Sequence, residues 1–114
     1  MPYIEVKTNT AITKEQEITV KSKIAEILVA SFPAKTENWL MVDITEKSHM
    51  YHAGLDTPCA MIEVAIAGKG TAEAFEKMTD GLCALVEKEL GIPADRVYVK
   101  YEEVTYWGWN GSNV

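Results

Sequence analysis

The sequence predicts an α+β domain in which two repeated βαβ units form one four-stranded mixed sheet with two helices on one face. Alternating apolar and polar residues mark four strands, and apolar residues at helical spacing mark two helices between them. The equivalent positions of the two units lie 58 residues apart in three places, at Pro2 and Ala60, at Thr13 and Thr71, and at Trp39 and Val97. A chain of 114 residues suits a single domain, with pseudo-repeat halves of about 1–57 and 58–114.

The first unit opens with a strand over Pro2–Thr8, which buries one face and leaves the other at least partly exposed to solvent. Thr13 and Gln16 have the spacing of a capping box, which predicts the start of a helix. An alternating run over Trp39–Ile44 then predicts a second strand. A strand, a helix and a strand in this order predict a parallel pair joined by a right-handed crossover.

The second unit repeats this order, with a strand over Ala60–Ile66, a helix capped by Thr71 and a strand over Val97–Glu102. Gly91, followed by an apolar residue and a proline, predicts the end of that helix in a left-handed conformation. The polar stretch Thr45–Pro58 between the units is the longest connection. We expect this connection to carry a loop that lines or covers a functional site.

Composition narrows the class of partner. Hydrophobic residues make up 47% and charged residues 25%, which predicts an ordinary folded, soluble protein. The net charge of -6 argues against nucleic acid or an anionic membrane surface as a partner. With no apolar run near membrane-spanning length and no basic-then-apolar leader, the expected compartment is the cytoplasm.

The two cysteines and two histidines predict no metal or redox site. Cys59 and Cys83 are 24 positions apart with no C-x-x-C, so we expect two buried, inert thiols. His49 and His52 fall in a polar connection and are expected to be solvated. No metal-ligand spacing is present, and no cofactor is expected.

The first two residues, Met1 and Pro2, are a possible source of a catalytic base. If Met1 is removed, Pro2 carries a secondary amine at the chain terminus, which could act as a general base near neutral pH. The alternative is that Pro2 is only a stiff residue that opens an edge strand.

The aromatic residues predict two further features. The sheet face away from the helices is expected to need a cover, and a homo-oligomer would supply it through Tyr3, Trp39, Met41, Tyr98 and Tyr101. The last segment, Thr105–Ser112, places aromatic residues beside Asn110-Gly111, a hairpin-turn dipeptide. This ribbon either docks on the protein body or walls a pocket for a flat ligand, and the two are compatible.

Five motifs carry a family resemblance: Met1-Pro2, Pro58-Cys59-Ala60, Gly68-Lys69, Asp95-Arg96-Val97-Tyr98-Val99 and Gly108-Trp109-Asn110-Gly111-Ser112. Over nearly the whole chain the sequence resembles the macrophage migration inhibitory factor and D-dopachrome tautomerase family. The resemblance implies a homotrimer with an amino-terminal proline as acid and base in a pocket between subunits. It also implies keto–enol tautomerisation of phenylpyruvate-like aromatic 2-keto acids and of dopachrome-type compounds.

The resemblance carries over residue by residue. Pro2 corresponds to the catalytic base, Lys35 to a substrate-binding lysine, and Ala67 to a pocket residue whose main chain could contact substrate. Tyr98 matches a pocket tyrosine. The remaining substrate-binding positions are Lys100, which stands where the vertebrate proteins have asparagine and should make the site more cationic, and the aromatic walls Trp109 and Trp107.

Two departures and one alternative accompany the resemblance. Without a C-x-x-C, the thiol–disulfide activity of the cytokine proteins should be absent. Arg96 is the only arginine and belongs to a structural turn, so a monocarboxylate with an aromatic tail fits better than a dicarboxylate. The alternative function is a cytokine-like protein that binds a receptor through its trimer surface, in which case secretion without a signal peptide is also implied.

Overall fold

The four predicted strands form one mixed sheet in the order β2-β1-β3-β4, in a computed structural model that describes residues 1–114. Strands β1 and β2 are parallel, as are β3 and β4, whereas β1 and β3 are antiparallel. The predicted fold class is confirmed. The elements are β1 (Pro2–Thr8), α1 (Lys14–Ser31), β2 (Met41–Thr45), β3 (Ala60–Ala67), α2 (Ala72–Leu90), β4 (Val97–Val104) and a terminal hairpin of β5 (Gly108–Trp109) and β6 (Ser112–Asn113).

Both helices start and stop where local chemistry predicts. The Thr13 hydroxyl accepts from the Gln16 amide at 3.1 Å, and the Gln16 side chain accepts from the Thr13 amide at 2.9 Å, which completes the capping box. Thr71 caps α2 by accepting from the Ala74 amide at 3.1 Å. Gly91 ends α2 with φ 70°, a conformation in which any side chain would be strained.

The core lies between the two helices and one face of the sheet. Each fully buried large side chain contributes about 1.5–3 kcal/mol relative to exposure. Neither helix combines the length and the apolar character needed to cross a membrane. The core members include Ile4 and Val6 of β1, Ile24 and Leu28 of α1, Ile62 and Ile66 of β3, and Met78 and Leu82 of α2.

Two aromatic positions differ from the prediction. Trp39 does not open β2 but ends a short 3₁₀ turn, because the partner strand β1 begins only at Pro2 and the parallel register starts at Tyr3 and Met41. Tyr101 does not lie on the open face. It is two residues from Val99 on the helix side, where its hydroxyl donates to the Phe75 carbonyl at 2.9 Å.

The long connection between β2 and β3 is held at two points. The side-chain amide of Asn9 donates to three main-chain carbonyls of the connection, at 3.0–3.2 Å, and accepts from the main-chain N–H of Cys59 at 3.0 Å. Arg96 donates to four carbonyls of the connection, at 3.0–3.3 Å, and one of them, the Thr57 carbonyl, also accepts from Asn9. The connection therefore has a defined path without regular secondary structure, since side chains satisfy its backbone groups.

Candidate active site

A cavity of about 530 Å³ opens beside the amino terminus, where β1 begins. Pro2 lies in its wall together with Trp39, Trp107 and Trp109, which are the three tryptophans of the chain. A concavity of this size and apolar lining is typical of sites for small aromatic ligands.

Another concavity of about 490 Å³ lies between α1 and α2. Small and aliphatic residues line it, among them Ile27, Ala30 and Gly81, with lysines and glutamates around them. It contains none of the predicted site residues. We therefore place the candidate site at the amino-terminal cavity.

Pro2 is held by the sheet. It is the first residue of β1, it is buried, and it stands opposite Ile66 in the antiparallel register with β3. Met1 precedes it in the structure, so the free amine belongs to Met1. Burial and then the positive charge of Lys35 lower the pKa of that amine below its ordinary value. A chain terminus at this position is thus biased toward its neutral, basic form.

Two other predicted residues lie beside the same terminus. The Ala67 amide donates to the Met1 carbonyl at 3.1 Å. Lys35 is half-buried, and its Nζ stands 5.9 Å from the centroid of the Phe32 ring, within the range of a cation–π contact. The structure therefore places Ala67 beside the Met1-Pro2 bond and the charge of Lys35 near the terminal amine, although neither residue lines the cavity itself.

The aromatic wall is built by the terminal hairpin. Asn110 and Gly111 have φ of 52° and 85°, the two left-handed residues of a tight hairpin turn, as predicted. This turn brings Trp109 against Trp39, with ring centroids 5.0 Å apart and planes at 86°. The ribbon thus both docks on the protein body and lines the cavity.

Trp39 is the site residue that sequence reasoning missed. It was expected on the self-association face of the sheet, whereas the structure places it in the cavity wall. Only one feature of the sequence could have indicated this placement. Trp39 comes shortly after Lys35, in the same connection from α1 to β2, the strand beside β1.

Tyr98 and Lys100 lie away from this cavity within one chain. In β4, Tyr98 pairs with Met61 of β3, five positions from Ile66, the partner of Pro2. At about 3.3 Å per residue, this places Tyr98 roughly 16 Å from Pro2 along the strand direction. Its side chain is 63% exposed on the open face of the sheet. A single chain therefore does not unite all the predicted site residues.

Lys100 adds less positive charge than expected. Its Nζ lies 2.9 Å from a carboxylate oxygen of Glu63 on the neighbouring strand. This hydrogen bond is the main cause that raises the pKa of Lys100. The lysine therefore stays protonated, but an adjacent carboxylate offsets its charge.

Tyr3, on the same open face of the sheet, also keeps its proton. Partial burial, with a hydrogen bond to Glu5 at 3.0 Å, raises the pKa of Tyr3 to about 12. Tyr3 lines the edge of the cavity and remains a hydrogen-bond donor at physiological pH.

The thiols and histidines differ in part from expectation. Cys59 is buried, but Cys83 is only partly so, and burial raises its pKa above the usual thiol value. His49 is exposed as predicted. His52 is half-buried and contacts both Arg96 and Tyr98, so the expectation that it is solvated was wrong. Histidine, cysteine and carboxylate side chains form no group of three placed to hold a metal ion.

Comparison with known proteins gives a consistent result. The family model described as macrophage migration inhibitory factor (MIF) matches residues 1–114. The macrophage migration inhibitory factor of Xenopus laevis is 26% identical over 114 residues, covering 98% of this chain and 97% of that protein. Crystalline Leishmania major MIF2 is 26% identical with a TM-score of 0.93, and the match covers 100% of this chain and 97% of that one. The chain belongs to the macrophage migration inhibitory factor family.

Proposed function

We propose that the protein is a keto–enol tautomerase for phenylpyruvate-like aromatic 2-keto acids and dopachrome-type compounds, with Pro2 as acid and base once Met1 is removed. One observation supports this most directly. A chain terminus whose amine has a lowered pKa opens into a cavity walled by three tryptophans. A neutral amine suits proton abstraction, and the aromatic wall suits a phenyl or indole ring.

In the proposed reaction the Pro2 nitrogen takes a proton from the carbon next to the keto group. The electron pair of that C–H bond forms the C=C bond, and the carbonyl oxygen becomes an enolate oxygen. Transfer of this proton from the protonated Pro2 amine to that oxygen gives the enol and restores the neutral amine. In the reverse direction Pro2 takes the proton from the enol oxygen and returns it to carbon. The site must therefore stabilise a developing oxyanion and hold the substrate carboxylate.

Two groups of the same chain can hold the carboxylate. Lys35 supplies positive charge beside the terminus. The Ala67 amide, which donates to the Met1 carbonyl at 3.1 Å, loses this partner when Met1 is removed. An N–H group left next to Pro2 is a ready donor for a substrate oxygen.

We further propose that the site is completed by a second copy of the chain in a homotrimer. Tyr98 and Lys100 lie on the open sheet face, away from their own Pro2. Tyr98, 63% exposed, can donate to the enolate oxygen of a site on the adjacent copy. Lys100 is the weaker candidate because Glu63 already holds it at 2.9 Å.

Replacing the base tests this proposal. Pro2→Gly leaves a primary amine on a more flexible residue, and we expect kcat/KM for phenylpyruvate enolisation to fall about 100-fold or more, since a positioned general base contributes about 10²–10⁴. Pro93→Gly, at an exposed proline after α2, is the control and should retain full activity. Intact mass must show that Met1 is absent from each sample. Undiminished turnover in the Pro2→Gly variant would refute the proposal.

A second candidate is a cytokine-like signalling role through the trimer surface. It is favoured by the name macrophage migration inhibitory factor, which the relatives carry. Two results together would support this role alone. Receptor binding would survive Pro2→Gly, and the wild type without Met1 would show negligible turnover of every keto acid tried.

A further inference from the structure

The exposed ring of Tyr98 has one well-defined aromatic neighbour. The imidazole of His52 stands edge-to-face against it, with ring centroids 5.1 Å apart and planes at 79°. A tyrosine this exposed at a strand surface can otherwise sample several rotamers. The contact is thus available to select one of them.

His52 is itself held from two sides. Its amide and carbonyl are paired with those of Leu55 across a two-residue turn, each at 3.0 Å. Ala53 and Gly54 form that turn with φ of 53° and 77°. A non-glycine residue in this left-handed region costs about 1–2 kcal/mol, so the surrounding contacts must maintain the turn.

Arg96 holds the other side. Its Nη2 donates to the His52 carbonyl at 3.3 Å, and its Nη1 lies 3.3 Å from Nδ1 of the imidazole. Because a guanidinium can only donate, Nδ1 accepts and Nε2 carries the ring hydrogen. The ring that contacts Tyr98 is therefore fixed in both orientation and tautomer.

We propose that His52 is a positioning residue that holds the Tyr98 ring in the orientation required by the active site of the adjacent copy. This inference rests on the proposed function, in which Tyr98 acts in that site. His52 contacts no substrate and acts only through Tyr98. The turn at Ala53-Gly54 and Arg96 form the support for this contact.

Enzyme kinetics on the processed trimer test the coupling. We expect His52→Ala to lower kcat/KM about three- to tenfold, because an edge-to-face pair contributes on this scale. The loss should appear mainly in kcat, since Tyr98 is proposed to donate to an enolate oxygen that forms only during the reaction. His52→Phe keeps an aromatic edge and should stay within about twofold of the wild type. His49→Ala, at an exposed histidine of the same connection, is the matched control.

A double-mutant cycle separates positioning from general structure. If His52 acts through Tyr98, His52→Ala has no further effect in a Tyr98→Ala background. An equal loss in both backgrounds would overturn the proposal, as would a His52→Phe variant no better than His52→Ala.

A spectroscopic readout is independent of turnover. We expect the imidazole to shift the Tyr98 ring-proton resonances in the wild type, because the two rings are in contact. His52→Ala should remove this shift and leave other aromatic signals in place. If the wild type shows no tautomerase activity but the Tyr98 shift depends on His52, the proposed function fails and the positioning contact stands. Unchanged Tyr98 resonances in the His52→Ala variant would refute the contact itself.

Discussion

Burial and one neighbouring charge together set the pKa of the amine at the start of β1. Burial and the positive charge of Lys35 both lower the pKa of the chain terminus, since each disfavours the ammonium form. Removal of Met1 would transfer this environment to the nitrogen of Pro2, one residue deeper in the sheet. The reactivity of Pro2 should thus depend on Lys35 even before substrate binds.

Lys35→Met tests this dependence. Without the lysine charge, the pKa of the Pro2 amine should rise toward the ordinary range of an α-amino group, ~7.7–8.0. The rise of kcat/KM with pH should then occur at higher pH, because the free enzyme must lose its proton to act as a base. Lys21→Met removes one charge from an exposed position of α1 and is the control for net charge. A Lys35→Met profile that shifts to lower pH would contradict this account.

The elements position the site through close packing at the turn between β3 and α2. The ring of Phe32, which Lys35 approaches, packs against Phe75 with centroids 5.6 Å apart, and Phe75 packs against Tyr101 at 4.6 Å. Gly70 lies directly against the first two rings. A Cβ there would come within 2.7 Å of Phe75 and 2.8 Å of Phe32.

Gly70→Ala should therefore destabilise the protein by about 1–3 kcal/mol, the usual cost of overpacking. Gly81→Ala in α2 is a matched control. Its Cβ would meet Ile27 at 3.0 Å, but the gain of about 0.8–1.0 kcal/mol in helix propensity offsets that contact. Thermal unfolding at one protein concentration measures both variants. A Gly70→Ala variant as stable as the Gly81→Ala control would contradict this account, because it would show that the Phe32 and Phe75 rings move aside without a cost in stability.

The elements were predictable because their signals are local. The capping box at Thr13, the left-handed Gly91 and the Asn110-Gly111 turn each depend on residues a few positions apart. The placements of Trp39 and Tyr101 were missed for different reasons. The position of Trp39 depends on where β1 begins, which alternation alone does not specify. Alternation does place Tyr101 on the same face as Val99 and opposite Tyr98, so the expectation for Tyr101 misapplied the pattern.

Contacts between distant segments were not predictable either. The residues Arg96 and His52 are 44 positions apart, and no spacing rule relates them. Pro2 was named from the chemistry of a terminal proline, whereas Lys35 and Ala67 were named only through the family resemblance. Their common location follows from the sheet order, which brings the start of β1 beside the end of β3.

At the scale of the whole molecule, the proposed active site is built from two copies of the chain. Pro2 and the tryptophan-lined cavity lie at one end of the sheet, and Tyr98 lies on the open face toward the other end. Neither group can serve the other within one chain. Under the proposed function, assembly is a condition for activity rather than only a source of stability.

Subunit complementation tests this claim most directly. Pro2→Gly and Tyr98→Ala chains, each nearly inactive alone, are unfolded together in equal amounts and refolded as mixed trimers. Random assembly places an intact Pro2 next to an intact Tyr98 in about one quarter of the sites. We predict that the mixture regains about a quarter of wild-type tautomerase activity. A mixture no more active than its two parents would contradict a site shared between copies.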